Sequence, residues 1–144
     1  MSVSLQFPLN VEGDWPPVGS ESLPFRKLYI GYECLSVPIF VKNLSVGDVL
    51  QVDIDRDGFV GSWSHISKSR RSTVWILRIS ADNQIEDCLN KLRLLGCNTA
   101  SVVEFGCYAI DVPESVSISD IDEILEVLDP EAVAVAFPSL RHPE

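Results

Sequence analysis

The sequence predicts an α+β protein, and three observations predict it. Residues 25–79 carry short runs of alternating apolar and polar residues, broken by turn signals, as antiparallel strands require. Residues 85–95 and 118–128 repeat apolar residues at helical spacing instead. Strand-like runs flank both stretches, so residues 73–140 read strand–helix–strand–strand–helix–strand. The expected architecture is a small antiparallel β subdomain over residues 1–71, a curled sheet or partial barrel. A ferredoxin-like βαββαβ unit over residues 72–144 follows it, with both helices on one sheet face.

Size permits this without staples. A chain of 144 residues buries about two-thirds of its unfolded surface, so neither metal nor disulfides are needed to fold it.

The elements follow in order. Val3–Leu9 reads as an edge strand. Pro16 and Pro17 exclude a helix and favour an extended segment. Trp15 beside them is expected to pack on a neighbouring surface, the alternative being an exposed aromatic binding spot. Arg26–Glu33 and Ser36–Val41 read as strands, with Gly31 weakening the first. Val49–Ile54 and Phe59–Ile66 flank Asp55–Arg56–Asp57–Gly58, a hairpin signal because Gly accepts the positive φ of a tight turn. Lys68–Arg71 reads as a solvated basic loop, the alternative being a site for an anion or for an internal acidic contact.

Thr73–Ile79 is rich in β-branched and aromatic residues, as strands are. Ser80 or Asp82 can cap the next helix, whose apolar stripe is Ile85, Cys88, Leu89, Leu92 and Leu95. Gly96 ends it. Thr99–Glu104 and Tyr108–Val112 are the next strands. Ser117 or Ser119 caps the second helix, and Ile118, Ile121, Ile124, Leu125 and Leu128 form its buried stripe. Pro130 stops it, and Val133–Phe137 is the last strand.

Charge narrows the function. A net charge of −10 argues against nucleic acid and anionic membranes, which both require a basic patch. It favours a basic partner or plain solubility. The N-terminus lacks the basic start and long apolar run of a signal peptide, and no apolar run is long enough to span a bilayer. The four cysteines form no C-x-x-C and no zinc-finger spacing. A cytoplasmic protein with reduced thiols is expected.

The sequence offers little candidate chemistry. Asp53–Gly58 opens like a calcium loop, but position twelve is Ser64 and no helix flanks it. His65 and His142 have no sequence-level nucleophile signature beside them. No metal constellation and no phosphate loop occur. The expectation is no catalytic residue, no metal and no cofactor.

What remains is acidic. Residues 94–140 hold nine carboxylates and no Lys or Arg. Asp111, Glu114 and Asp120 sit at strand ends or a helix start, where local duties exist. A helix gains about 0.2–0.5 kcal/mol from each i,i+4 Glu–Lys pair, and the second helix forgoes all of them. Asp120, Asp122, Glu123, Glu126 and Glu131 are therefore the candidate partner-binding residues.

Several short motifs, in order, carry a resemblance. They are Trp15–Leu23, then Val37–Val49 with its apolar–Pro–apolar–Phe run and Gly47–Asp48–Val49, then Ser72–Val74, Leu95–Cys97 and Asp111–Pro113. The chain resembles a bacterial family known as domain of unknown function 4265. Pro24 stands where that pattern has an aromatic residue. The resemblance implies a bacterial cytoplasmic protein and assigns no activity. Its polar members Glu21 and Asp48 read as turn and cap residues.

Three function classes follow. The leading one is a non-catalytic acidic binding protein, an immunity protein that occludes a basic bacterial toxin domain. The second is a small-molecule or regulatory binding module, which requires a concave apolar pocket with convergent polar groups between the subdomains. The third is a hydrolase built from carboxylates of raised pKa meeting in a cleft.

Overall fold

In a computed structural model, which describes residues 2–143, the chain is α+β with two helices and two antiparallel sheets. The first sheet is a five-stranded meander: β1 (Ser2–Pro8), β2 (Ser20–Lys27), β3 (Tyr32–Cys34), β4 (Val49–Ile54) and β5 (Val60–Ser67), paired in chain order. Period-two alternation drives it. Leu5 and Phe7 of β1 face Leu23 and Phe25 of β2, and all four are buried. The sheet curls until Gln6 bridges Phe59, but it does not close.

The Asp55–Gly58 turn forms as expected. Gly58 takes φ 86°, and the Asp55 carboxylate accepts the Asp57 and Phe59 amides. Asp55 thus serves the hairpin.

Two expectations in this half are overturned. Arg26–Glu33 is not one strand: β2 starts earlier and ends at Lys27, and the Leu28 amide donates to the Gly31 carbonyl in a turn before β3. Pro24 disguised β2. It is tolerated because the β3 ladder ends at Phe25–Cys34, and the Pro24 carbonyl still accepts the Leu35 amide. Ser36–Val41 forms no strand either. The amides of Ile39, Phe40 and Val41 donate to the buried Glu21 carboxylate at 2.7–3.0 Å, so they are lost to any sheet ladder.

Gly31 is required where it stands. A Cβ there would collide with the Leu50 carbonyl oxygen and lie 2.7 Å from Ile66 Cδ1. Gly31→Ala must push β3 off β4. The expected loss is about 1–3 kcal/mol, read as a lower denaturant midpoint.

The second sheet is built from β6 (Ser72–Arg78), β7 (Asn98–Val102), β8 (Cys107–Val112) and β9 (Val133–Ser139), in the order β7-β8-β6-β9, all antiparallel. Helix α1 (Ile85–Leu94) follows β6, and α2 (Ile118–Leu125) follows β8. Val74, Ile76, Ile110, Val112 and Val133 form one core with Leu89, Leu92, Ile121 and Leu125, so both helices cover the same sheet face. Asp82 accepts the Gln84 and Ile85 amides at the start of α1, and Gly96 takes φ 108° after its end. Leu95 leaves the stripe as the C-cap residue and is exposed. The strand expected at Thr99–Glu104 stops at Val102, where a 3₁₀ turn (Val103–Phe105) begins.

Candidate functional site

The acidic face comes from the helix period. Ser117 caps α2 in an extended conformation and accepts the Ser119 amide, with Asp120 in the first turn. Ile121 and Leu125 then turn inward, which puts Asp122, Glu123 and Glu126 outward. Asp120, Asp122, Glu123, Glu126 and Glu131 are all exposed. Among the described residues, none of these five carboxylates makes an ion pair. Their charge faces water undiluted. Asp111, by contrast, has work inside the fold. Asp111 holds the Arg71 guanidinium with two bonds, at 2.9 and 2.6 Å, and accepts from Asn98 Nδ2. The basic loop is therefore partly an internal contact, through Arg71.

A second polar cluster lies between the two sheets. Asp48 is fully buried and accepts both Arg141 terminal nitrogens at 2.9 Å, the Ser45 and Ser69 amides, and His65 Nε2. Beside it the Ser45 hydroxyl meets Thr73 and Ser139. Burial pushes the Asp48 carboxyl up. Arg141, the two amides and His65 outweigh burial and hold it below the ordinary carboxylate value. Since the folded value is the lower one, this stabilisation is present above the unfolded carboxylate pKa of about 3.9 and fades as pH falls through the folded value. The stability gap between the protein and Asp48→Asn should therefore narrow once pH drops below about 4, as measured by denaturant titration at neutral and acid pH.

Ser72 and His142 form a pair that sequence could not show, 70 residues apart. His142 Nε2 donates to the Pro113 carbonyl, so Nδ1 accepts the Ser72 hydroxyl proton. The Ser72 oxygen also accepts the Arg141 and His142 amides. Ser72 is fully buried, so the pair pins the C-terminal segment to β6.

The third feature is a cleft. Trp15, Trp63 and Trp75, all the tryptophans of the chain, line it with Phe40, Ile39 and Lys42. Its volume is about 620 Å³, and a smaller cavity of about 170 Å³ adjoins it over the β6–β9 surface. Trp15 is 47% exposed and meets Phe40 edge to face at 6.0 Å. It is thus both packed and presented, between the two alternatives. Trp75 Nε1 donates to the Pro38 carbonyl, fixing the loop over the second sheet.

All four thiols are buried and free. Burial pushes Cys34 up to about 12 and Cys97 up to about 11. A thiol so shifted is a packing group, because the nucleophile is the thiolate. Among the described residues, no helix is long and apolar enough to cross a membrane.

Sequence reasoning placed the exposed carboxylates and singled out Trp15, and missed the buried polar cluster, the Ser72–His142 pair and the companions of Trp15. Glu21 and Asp48 are buried hubs for partners up to 93 residues away, where turn and cap roles were expected.

The fold has a solved counterpart. A crystal structure described as a hypothetical protein from Neisseria gonorrhoeae superposes with a TM-score of 0.73 over 96% of each chain, at 14% identity. At that identity the likeness speaks for fold alone. No curated protein matches the chain. Residues 23–135 match the family described as Domain of unknown function (DUF4265), and this span includes Asp48, Trp63, Trp75, Asp111 and the α2 carboxylates. The chain belongs to the DUF4265 family.

Proposed function

We propose that this chain is a non-catalytic binding protein whose acidic α2 face contacts a basic protein partner. In its concrete form it is an immunity protein that neutralises a toxin domain by occlusion, acting in the cytoplasm. One observation carries the reading: Asp120, Asp122, Glu123, Glu126 and Glu131 are exposed and outside every ion pair of the described residues. A surface held negative against its own repulsion raises the on-rate of a positive partner and fixes its register. The order β7-β8-β6-β9 with one-sided helices supports a ferredoxin-like unit as the platform beneath this face. The test is capture of a stoichiometric basic protein from the source lysate, lost as salt rises. A partner retained at high salt, or one without a basic face, would sink the reading.

A second reading has its own observation. The cleft with three tryptophans is concave and apolar, with Asn10, Glu12 and Lys42 as its polar members. It supports a small-molecule or regulatory binding module. Saturable quenching of tryptophan fluorescence by a ligand, abolished in Trp15→Ala, is the expected sign; a library without one such ligand counts against it.

A further inference from the structure

The second sheet ends in an edge whose first half the chain leaves open. β9 pairs with β6 alone, so from Val133 to Ala136 the N–H and C=O groups of its outer side lack a ladder partner, while further along the Pro138 carbonyl accepts the Asn43 amide. The other edges are managed. β1 and β5 curl toward each other and meet at Gln6 and Phe59. β7 has five residues, three of them polar, with Asn98 bonded to Asp111 and Thr99 to Arg93. β9 has Pro138 and a register shift only near its end, and from Val133 to Ala136 it has neither protection. From Ala132 to Leu140 there is no ionisable side chain. Val135, Phe137 and Leu140 are 38%, 37% and 40% exposed. Ala134 and Ala136 border the cavity of about 170 Å³ that Trp15 and Ile39 also line, and their small side chains leave it open.

An edge of this kind takes up an added strand. Main-chain hydrogen bonds give the affinity, and alternate side chains entering a pocket give the specificity. Charge decides whose strand it is. Glu126, Asp129 and Glu131 lie exposed just before β9, and residues 94–140 hold no cation. A second copy would bring another chain of charge −10 to the seam. A basic chain brings the opposite sign. We propose that β9 is the docking edge for an extended apolar strand of a basic protein partner, added antiparallel or parallel, with side chains over Ala134 and Ala136 and flanking cations near Glu126 and Glu131. The sign of the partner rests on the acidic-face reading; the edge itself does not.

The experiment uses the full chain and synthetic peptides of alternating Val and Thr. One carries Lys at both ends and one carries Glu. A third copies the Lys peptide with alternate amides N-methylated. Affinity and amide hydrogen exchange at residues 133–137 are read together. The Lys peptide should bind and slow exchange at β9, and N-methylation should weaken it at least about tenfold. The Glu peptide should also bind at least about tenfold more weakly. Val135→Asp should weaken the Lys peptide although it adds an attractive charge. The N-methylated peptide keeps the test valid if that variant misfolds.

Binding of the Lys peptide without protection of β9 overturns this proposal and leaves the acidic-face reading standing. Equal binding of the Lys and Glu peptides at β9 overturns the basic partner and takes the acidic-face reading with it. Failure of every peptide overturns the docking edge. Sedimentation equilibrium covers the remaining occupant: self-association abolished by Val135→Asp would assign the edge to a second copy and overturn the proposal.

Discussion

Asp48→Ala should destabilise the protein by about 3–5 kcal/mol, enough to unfold a marginal domain at ordinary temperature. The reason is what the substitution leaves behind. Arg141 is only 11% exposed at its side chain and has both terminal nitrogens on Asp48, so it becomes a buried cation whose remaining bond is to the Ser69 carbonyl. The Ser45 and Ser69 amides and His65 Nε2 lose their acceptor at the same time. Buried donors without acceptors cost about 1–3 kcal/mol each, and part of that returns only if water enters. Asp48→Asn should cost less, because its amide oxygen can still accept. The double variant Asp48→Ala with Arg141→Met should recover part of the loss, because the stranded charge goes with its partner. Chemical denaturation of the four proteins checks the order.

Ile121→Ala is the second large effect, a loss of about 2–5 kcal/mol. Ile121 is fully buried on the inner face of α2, packed in the core shared by both helices and the second sheet. Removing it leaves a cavity and frees the helix that presents the carboxylates. Asp122, Glu123 and Glu126 themselves are untouched. Stability should therefore fall while partner affinity, measured where the variant is still folded, changes far less. A stability loss under about 1 kcal/mol would mean that α2 is held by something other than this core contact.

The fold was legible where one local rule acts alone. The stripes of α1 and α2, the Asp55–Gly58 turn and the β6 and β8 strands follow from period, turn chemistry and propensity. It was illegible where a distant group decides. Ser36–Val41 has strand-like residues, yet the Glu21 carboxylate on β2 takes three of its amides. Pro24 reads as a strand breaker, and only the early end of β3 makes it harmless. The α2 carboxylates were legible because helical spacing fixes their direction. The Asp48–Arg141 and Ser72–His142 contacts were not, because they join segments 93 and 70 residues apart with no local signature. The cleft was half legible: Trp15 stood out, but its companions Trp63 and Trp75 come from β5 and β6.

The most direct measurement of the proposed immunity role is protection from a basic toxin, captured as the proposed partner, by Asp122→Lys, Glu123→Lys and Glu126→Lys combined. All three positions are exposed, so the variant should fold with an unchanged melting transition. The account predicts that binding weakens by more than about tenfold and that protection is lost. Full protection by the folded triple variant would contradict the acidic face as the contact surface.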